Sequence, residues 1–370
     1  MASARGTFLA EGFSQKLLKE VYDKSILDSI VNRDYEGEIN AVGSKLNILN
    51  IARISEKTYD GDDLTADSLY ENETELVIDQ YKSFYWKEKT LDNWLSYIKD
   101  PHSTVITQKA DERNKNMDTY AFGLYGDVAA GNRVGTDYDT GTVTVTATSG
   151  AVTGSGTTFT AAMVGKGFKA EGHTKWYRVK TYNNATSIVI EDDLDDVDSA
   201  YTGGAIAGGA TYEVEAATPI SITTANLLGY VADLRTKLDK AEANGVSAVP
   251  DSDRWLIVPP EFENTLVQAT GVALHVPEVY TNLVQKGFLG MLLGFKLFKS
   301  NRLSGDNTDG YHILAGHPNW LTFAEKLLEA DIEEDLIGNF GSAYKDLFVY
   351  GAKVSDTRRQ YAAELFATFA

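Results

Sequence analysis

Near its middle the chain passes through a stretch that is almost free of charge, TGTVTVTATSGAVTGSGTTF at 140–159, between long regions rich in Lys, Asp, Glu and aromatic residues. This stretch opens a longer segment, 136–215, in which short alternating runs are separated by turn signals such as Ser149-Gly150 and Gly203-Gly204. Several short strands between Gly-rich turns are typical of a small barrel or sandwich. The composition changes at both ends of the segment. The sequence therefore predicts a β-domain inserted at 136–215 into a different host fold.

The region before the insert predicts an apolar arm, a long hairpin and a long helix. In the arm, apolar residues including Phe8 and Phe13 recur at helical spacing. The segments 45–54 and 76–85 are rich in β-branched and aromatic residues, which predicts two strands joined by a polar, acidic connection. Because an isolated hairpin is marginal in water, we expect this one to lie on another surface. The apolar stripe at 105–128 predicts the longest helix of the chain.

The region after the insert alternates helical and strand-like patterns. An apolar stripe predicts a helix from 227 to about 241, and Trp255–Val258 predicts a buried strand ending at two prolines, with a helix at 261–269. The later segments predict strands or short helices at 288–298 and 311–316, a loosely amphipathic stretch at 320–337, and closing strands at 347–354 and 360–369.

The charge balance restricts the possible partners. With 34 basic and 53 acidic residues the formal net charge is −19, and such a surface repels a polyanion, so primary nucleic-acid binding is disfavoured. The absence of Cys removes disulfides and thiolate metal sites and fits a reducing compartment. The first residues have no apolar run of signal-peptide length, and the longest apolar run, 287–298, is too short to span a bilayer. We expect a cytosolic protein without membrane contact.

The usual catalytic and metal-binding motifs are missing. Gly154-Ser155-Gly156 lacks the spacing of a nucleophile elbow, and Gly165-Lys166-Gly167 lacks the spacing and the hydroxyl of a phosphate loop. The acidic run at 191–198 lacks the Gly and terminal Glu of a calcium loop and is interpreted as a solvated loop, and 306–310 as a turn. The histidines without metal-ligand spacing are His102, His173, His275, His312 and His317. We expect no catalytic, cofactor-binding or metal site, hence a structural or binding protein.

Several longer stretches follow one another in a characteristic order. After an arm at 7–36 come GEINAVGSKLNILNIARISEKTYDGDDLTADSLYENETELVIDQYKSFYW (37–86), MDTYAFGLYGD (117–127), RWLIVPPEFENTLV (254–267), GFKLFKSNRL (294–303), AGHPNWLTFAEKLLEADI (315–332) and LFVYGAKV (347–354). This order resembles the major capsid proteins of tailed double-stranded DNA bacteriophages, whose fold is named after a Hong Kong phage. The insert, with GSGTTF, WYRV and ATSIVI in sequence, is similar to small β-modules of phage structural proteins.

The resemblance implies an α+β protein with the Hong Kong phage-type capsid fold plus an inserted all-β barrel or sandwich domain. It divides the chain into an N-terminal arm at 1–36, an extended hairpin loop at 37–88, a peripheral domain with a spine helix at 89–135, the inserted domain at 136–215 on the outer capsid surface, an axial domain at 216–310, and a return to the peripheral domain with the C-terminal strands at 311–370.

The function implied is that of a major capsid protein that self-assembles as pentamers and hexamers into an icosahedral shell around phage DNA. Such a protein belongs to the virion and is assembled in the cytoplasm of the host bacterium. The implied partners are further copies of the chain, a separate scaffolding protein, a portal, and packaged DNA bound without sequence specificity. No cofactor is implied.

Contacts between subunits are expected from the loop and the arm. The residues expected to make them are Arg53, Glu56, Lys57, Asp62 and Asp63 in the loop and Phe8 and Phe13 in the arm. Three alternatives stay open. The arm and loop fold back on their own domain; the chain is a phage tail or surface adhesin whose β-domain binds a host glycan through the strand at 176–182; or it is an enzyme with an unrecognised carboxylate pair.

Overall fold

The computed structural model describes residues 25–34, 45–51, 71–89, 101–192, 200–240, 249–273, 288–333 and 340–370. Its helices are α1 (Pro101–Gly123), α2 (Leu227–Asp239) and α3 (Pro260–Ala273). Its strands are β1 (Lys45–Ile51), β2 (Glu71–Val77), β3 (Gln80–Lys89), β4 (Arg133–Val134), β5 (Thr136–Tyr138), β6 (Thr142–Val145), β7 (Ala151–Ser155), β8 (Gly167–Ala170), β9 (Tyr177–Asn184), β10 (Ser187–Glu191), β11 (Ile206–Ala210), β12 (Tyr212–Thr218), β13 (Ile220–Ile222), β14 (Trp255–Val258), β15 (Phe288–Leu292), β16 (Phe295–Lys299), β17 (Gly305–Asp306), β18 (Gly310–Gly316), β19 (Leu321–Glu333), β20 (Gly341–Val354) and β21 (Ala362–Phe369).

The largest core lies around a mixed sheet of eight strands. Six of them have the order β13-β21-β18-β14-β16-β15, while β17 pairs with β18 and β4 runs parallel to β21. All four residues of β14, WLIV, are buried, as expected for a central strand covered on both faces. The helices α1 and α2 contribute Phe122, Val231 and Leu234 to this core. The predicted helices and the strand Trp255–Val258 are thus confirmed, with α1 beginning at Pro101 and ending in a 3-10 turn at Leu124–Asp127.

The segment after β4 forms an eight-stranded sheet with a core of its own. The strand order is β11-β6-β7-β10-β9-β8-β12-β5, and the core includes Val152, Phe168 and Val214. The two ends of the segment meet where β5 pairs with β12. There a Cβ on Gly135 would lie 2.5 Å from the Cα of Ala216, so only glycine permits this approach. The β-rich character predicted for the segment is confirmed; its independence as a domain stays a prediction.

A third, three-stranded sheet has the order β19-β20-β3. The stretch 320–337, predicted to be loosely amphipathic, begins with the thirteen-residue strand β19, which pairs with β20 along its length. The prediction missed this strand because 320–324 is buried at every position, and a continuous apolar run carries no period that separates strand from helix. The predicted strand 347–354 likewise begins earlier, at Gly341.

The predicted hairpin is present, but its second strand differs. Register pairs run from Lys45 opposite Val77 to Ile51 opposite Glu71. The predicted strand 76–85 is divided: residues up to Val77 pair with β1, whereas Gln80–Lys89 pair with β20 of the three-stranded sheet. The composition of 76–85, which is rich in β-branched and aromatic residues throughout, does not encode this change of partner. The helical spacing of the arm predicts one helix or two short helices over 7–32; residues 7–24 lie outside the described chain, and the described part contains a 3-10 turn at Leu27–Ser29.

Candidate assembly surfaces and a buried charge junction

All residues that the sequence singled out for intersubunit contacts lie outside the described residues. They are Phe8, Phe13, Arg53, Glu56, Lys57, Asp62 and Asp63. The described chain does define the base from which the extended loop starts and the end of the arm, and these two places show how both elements are attached to the body.

The base of the extended loop is held by a small apolar cluster. Leu76 and Ile78 are buried with Ala324 and Val349 of the three-stranded sheet. Gly351 lies directly beneath: a Cβ there would stand 2.3 Å from the carbonyl oxygen of Val77. The chain therefore crosses from the hairpin to the sheet in close backbone contact, which fixes the point where the loop leaves the body.

A polar contact from α1 reinforces the same crossing. The Tyr120 hydroxyl donates to Asp79 Oδ1 at 3.0 Å, between β2 and β3, and the Tyr120 ring packs edge-on against Tyr350 at 5.5 Å. Burial is the largest effect that raises the pKa of Tyr120 above its usual value, and the neighbouring Asp79 carboxylate raises it further. Tyr120 therefore remains a neutral hydrogen-bond donor and links the longest helix to the loop base.

The end of the arm is tied to the body by two charged contacts. Ser25 Oγ donates to Asp118 Oδ1 at 2.7 Å, and Arg302 pairs with the other oxygen of the same buried carboxylate. Burial raises the pKa of Asp118, and Ser25 and Arg302 act against this rise. Arg33 pairs with Glu325 at 2.8 Å. Within the described residues 25–34, therefore, Ser25 and Arg33 are both bound to the subunit body.

A cluster of buried and half-buried ionisable side chains lies where the sheet of 136–215 meets the sheet that contains β21; we call Arg133, Lys166, Glu215, His312 and Glu364 the charge junction. Arg133 pairs with Glu364 in full burial. Its Nη2 also donates to the carbonyl oxygens of Val128 at 3.0 Å and Gly165 at 3.1 Å. One guanidinium thus joins the carboxyl-terminal strand β21 to a turn of the inserted sheet.

Glu215, on β12, contributes the second carboxylate of the junction. Its two oxygens accept hydrogen bonds from the backbone N–H groups of Gly131 and Arg133, each at 2.7 Å, and Lys237 Nζ lies 4.0 Å away. Burial raises the pKa of Glu215 to about 7, against the opposing effect of Arg133 and the backbone donors. The strand β12 of the eight-stranded sheet 136–215 therefore supplies hydrogen-bond acceptors to the backbone at Gly131 and Arg133.

Lys166 and His312 complete the junction from opposite sides. Lys166 donates to the carbonyl oxygen of Ala216, and its Nζ stands 4.5 Å from the centre of the Phe366 ring. Burial lowers the pKa of Lys166 to about 8. His312 donates from Nδ1 to Glu364 at 2.5 Å while its ring is stacked on Tyr125 and Phe366. Burial acts to raise the pKa of Glu364, but Arg133 and His312 outweigh it and the pKa is lowered.

The charge junction was not predicted from the sequence. There Lys166 stood out only within a rejected phosphate-loop motif, and His312 only as a histidine without metal-ligand spacing. A usable signal was present for Glu364, which interrupts the otherwise largely apolar strand AAELFATF, since a charge at such a position requires a buried partner. The strand YEVEAAT of Glu215 also carries Glu213 and gives a weaker signal.

One sequence interpretation is corrected nearby. The acidic run at 191–198 is not solvated at its start, because Glu191 and Asp192 are buried and Lys175 pairs with Asp192 at 3.1 Å; residues 193–198 lie outside the described chain. Trp176, on the strand considered for glycan binding, is half-buried. Its indole lies against Gly131 and Gly167, where added Cβ atoms would approach it to 2.9 and 3.1 Å.

Among the described residues, no three His, Asp or Glu side chains converge on a point where a metal ion could bind. The described helices include none with the length and apolar character needed to cross a membrane. The segment 306–310 is the predicted turn, with Asp306 Oδ1 accepting from the N–H groups of Thr308 and Asp309.

Comparison with known proteins identifies the family. A family model described as phage capsid protein matches residues 169–363, more than half of the chain. The chain belongs to the phage capsid protein family. No curated protein matches the sequence.

Solved capsids have the same fold as this capsid protein. The capsid of Cyanophage P-SCSP1u matches with a TM-score of 0.58 and 14% identity over 98% of this chain and 94% of that chain. A chain of Mycobacterium phage Che8 matches at 0.56 and 17% over 98% of both, and the capsid of Ralstonia phage GP4 at 0.52 and 13% over 99% and 98%. The predicted α+β Hong Kong phage-type fold is confirmed.

This chain is therefore a major capsid protein of the tailed-phage type. Its family and fold are structural rather than enzymatic, its place is the capsid of the virion, and it associates with copies of itself in a shell.

Proposed function

We propose that this capsid protein forms pentamers and hexamers that close into an icosahedral shell around double-stranded phage DNA. The observation that carries the proposal is the attachment of the extended loop. Its base is fixed by the Leu76 cluster, Gly351 and the Tyr120–Asp79 hydrogen bond, while β1 and β2 form a separate two-stranded sheet. Leu46 and Ile48 of the ribbon pack on this cluster in the subunit's own body. Because a ribbon of two strands is marginal in water, a neighbouring subunit is the surface that would stabilise the loop beyond this base.

Within the proposal, the contacts come from the loop and the arm. Arg53, Glu56, Lys57, Asp62 and Asp63 would meet a neighbouring subunit, and Phe8 and Phe13 would bury apolar surface at the same boundary. Between Thr58 and Glu75 the sequence has seven acidic residues and no basic one. A segment of one charge sign selects a basic partner surface and disfavours acidic ones.

The decisive experiment shortens the loop without touching its base. Residues 53–69 are replaced by an Asn-Gly turn, which keeps β1, β2 and β3. We expect a folded, soluble subunit that forms no shells in negative-stain images, alone or with the scaffolding protein, under conditions in which the unchanged protein forms them. Shells of normal size and yield would contradict the proposed role of the loop.

Point substitutions refine this experiment. Arg53→Ala, Lys57→Ala and the double change Asp62→Ala/Asp63→Ala are expected to lower shell yield while leaving the thermal unfolding of the free subunit unchanged. Asp309→Ala, which removes an exposed carboxylate from the 306–310 turn, is the matched control. Equal yields for the control and all loop variants would remove these residues from the proposed interface.

The remaining partners are part of the same proposal. A separate scaffolding protein and a portal act during assembly in the bacterial cytoplasm, and packaged DNA contacts the shell without sequence specificity. The net charge of −19 supports weak adhesion to DNA, because tight adhesion would hinder packing and release. Co-expression with a candidate scaffolding protein tests its role, and a change from tubes or aggregates to closed shells is the expected result.

We also propose that the inserted sheet lies on the outer surface. Replacing 139–211 by a short linker keeps the paired stem of β5 and β12 and the Glu215 contacts, and shells are expected to form. Loss of shells from this variant, with a folded subunit, would make the inserted sheet a subunit contact instead.

A further inference from the structure

The turn between β15 and β16 places a leucine in a strained backbone conformation. Leu292 pairs with Phe295, so Leu293 and Gly294 alone form the turn, and their φ angles are 49° and 89°. A two-residue hairpin turn with positive φ at both positions is of type I′ and favours Asn-Gly. A bulky residue with positive φ is uncommon, because its Cβ crowds the backbone. Leucine at this position therefore needs a reason outside the turn itself.

Within the described chain, the leucine gains little burial in return for this strain. The Leu293 side chain is 41% exposed, and Met291, two residues earlier, is 63% exposed. Asparagine would keep the turn and present a polar group to water instead, whereas methionine is a residue enriched at protein interfaces. Where a local rule is broken without a gain inside the folded chain, the residue concerned is expected to serve function.

The turn is held in place from α2. Arg235 Nη1 donates to the carbonyl oxygen of Leu293 at 3.3 Å, and Arg235 also pairs with Asp239 at 3.7 Å. A Cβ on Gly294 would lie 3.8 Å from the same nitrogen, which is ordinary van der Waals contact. The hairpin therefore presents Met291 and Leu293 on a supported turn, and a contact made by a preorganised element costs less conformational entropy.

The surroundings of the turn are electrically balanced, in contrast to the chain as a whole. From Phe288 to Gly305 the sequence has three basic residues and no acidic one. Lys296 on β16 pairs with Asp253 at 2.6 Å, and Lys299 pairs with Glu263 at 3.0 Å. Copies with a net charge of −19 repel one another. An apolar contact flanked by neutralised charge pairs therefore lets two copies approach at the least electrostatic cost.

We propose that Met291 and Leu293, at the tip of the β15–β16 hairpin, form an apolar contact with a neighbouring copy of this chain in the assembled shell. The proposal rests on the shell-forming function proposed above and names one contact surface for it. Contacts within a ring of subunits are heterologous, so the tip meets a different surface of the neighbouring copy. Two side chains bury far less than the roughly 800 Å² per partner of a stable complex. The contact therefore forms only together with the other contacts of the shell.

The variant Leu293→Asn separates the strain from the contact. Because Asn is favoured at this turn position, we expect a free subunit that is no less stable, with a midpoint of thermal unfolding unchanged or raised by about 1–2 °C. Loss of the apolar side chain from every copy should lower shell yield by about tenfold or more. Thr148→Asn is the matched control, since Thr148 is exposed, lies in a turn of the inserted sheet and has a φ of 69°. The control should leave shell yield unchanged.

Photo-crosslinking gives a second, independent readout in the complete protein. The four methionines of the chain are Met1, Met117, Met163 and Met291, and Met117 and Met163 are buried. When photo-methionine replaces methionine, irradiated shells should give cross-linked dimers and larger oligomers, and free subunits should give none. Met291→Leu, which keeps an apolar side chain and removes the reactive group, is the matched control and should abolish these cross-links.

The outcomes separate the two proposals. Shells formed by Leu293→Asn as well as by Thr148→Asn, or cross-links that persist unchanged in Met291→Leu, would overturn the contact and leave the shell function standing. If Leu293→Asn does not fold, the cross-links decide: shells of the unchanged sequence that give none would overturn the contact. If the unchanged protein forms no shells with or without scaffolding, the shell function fails, and the contact that rests on it fails too.

Discussion

The stability of the subunit should depend on pH through Glu215, and Glu215→Gln should remove this dependence. The carboxylate is 2% exposed, and burial raises its pKa from 4.5 to about 7. An acid whose pKa is higher in the folded state binds its proton more tightly there than in the unfolded chain. The contribution of Glu215 to stability is therefore greatest at low pH and falls as the pH rises from 4.5 to about 7.

The expected magnitude follows from the pKa values. Each pH unit over which the two states differ in protonation changes the free energy of unfolding by about 1.4 kcal/mol, so the whole effect is roughly 3 kcal/mol. The protein is least charged near its pI of about 4.7, where unfolding measurements suffer from aggregation. Between about pH 5.5 and pH 8, roughly 2 kcal/mol of the effect remains accessible.

The assay is urea unfolding of the free subunit at several pH values in this range. The free energy of unfolding of Glu215→Gln minus that of the unchanged protein should rise by roughly 2 kcal/mol from the lowest to the highest pH. The lost carboxylate acceptor adds a constant cost of about 1–3 kcal/mol, since Gln has one acceptor oxygen for two N–H donors. Glu213→Gln, two residues earlier on the same strand and only partly buried, is the control. A difference that stays constant across the pH range would refute the reasoning about Glu215.

Three further predictions concern the attachment of the arm and the loop. Gly351→Ala should destabilise the subunit by about 1–3 kcal/mol, because the new Cβ would stand 2.3 Å from the Val77 carbonyl oxygen; thermal unfolding measures this, and Gly204→Ala, with nothing within 4 Å of its Cβ, should have little effect. Arg302→Ala should cost about 3–5 kcal/mol because it leaves the buried Asp118 carboxylate without its cation, and Asp118→Asn in the same chain should recover part of this loss in urea unfolding. Tyr120→Phe should cost about 1 kcal/mol and should speed proteolytic cleavage within 52–70; unchanged cleavage would show that the Asp79 contact does not hold the loop base.

The insert illustrates what a sequence pattern conveys. The low charge and strict alternation of 142–147 predicted a short strand, and β6 is present there. The closeness of the two ends depends on Gly135 against Ala216, a contact between residues far apart in the chain. The alternation indicates which residues of the segment are buried, but it does not indicate which contacts connect the segment to the rest of the subunit.

The pairing of β2 and β3 with different strands likewise depends on contacts that the local sequence does not indicate. The residues from Leu76 to Tyr85 are rich in β-branched and aromatic side chains without a turn signal, so a single strand was predicted. The backbone turns from one sheet to another at Ile78 and Asp79, where Tyr120 and Gly351 meet it. Tyr120 and Gly351 belong to α1 and β20, and the sequence of the strand itself does not indicate these contacts.

The sequence by itself determined the order of arm, hairpin, long helix, β-insert and closing strands, because each has a period or composition that depends only on neighbouring residues. The tertiary structure decided how these pieces are joined. Arg133 meets Glu364 across 231 positions and Lys237 approaches Glu215 across the junction of two sheets, and such pairings are set by the packing of whole elements. A buried charge in a strand indicates that a partner exists, and only the folded chain shows which residue it is.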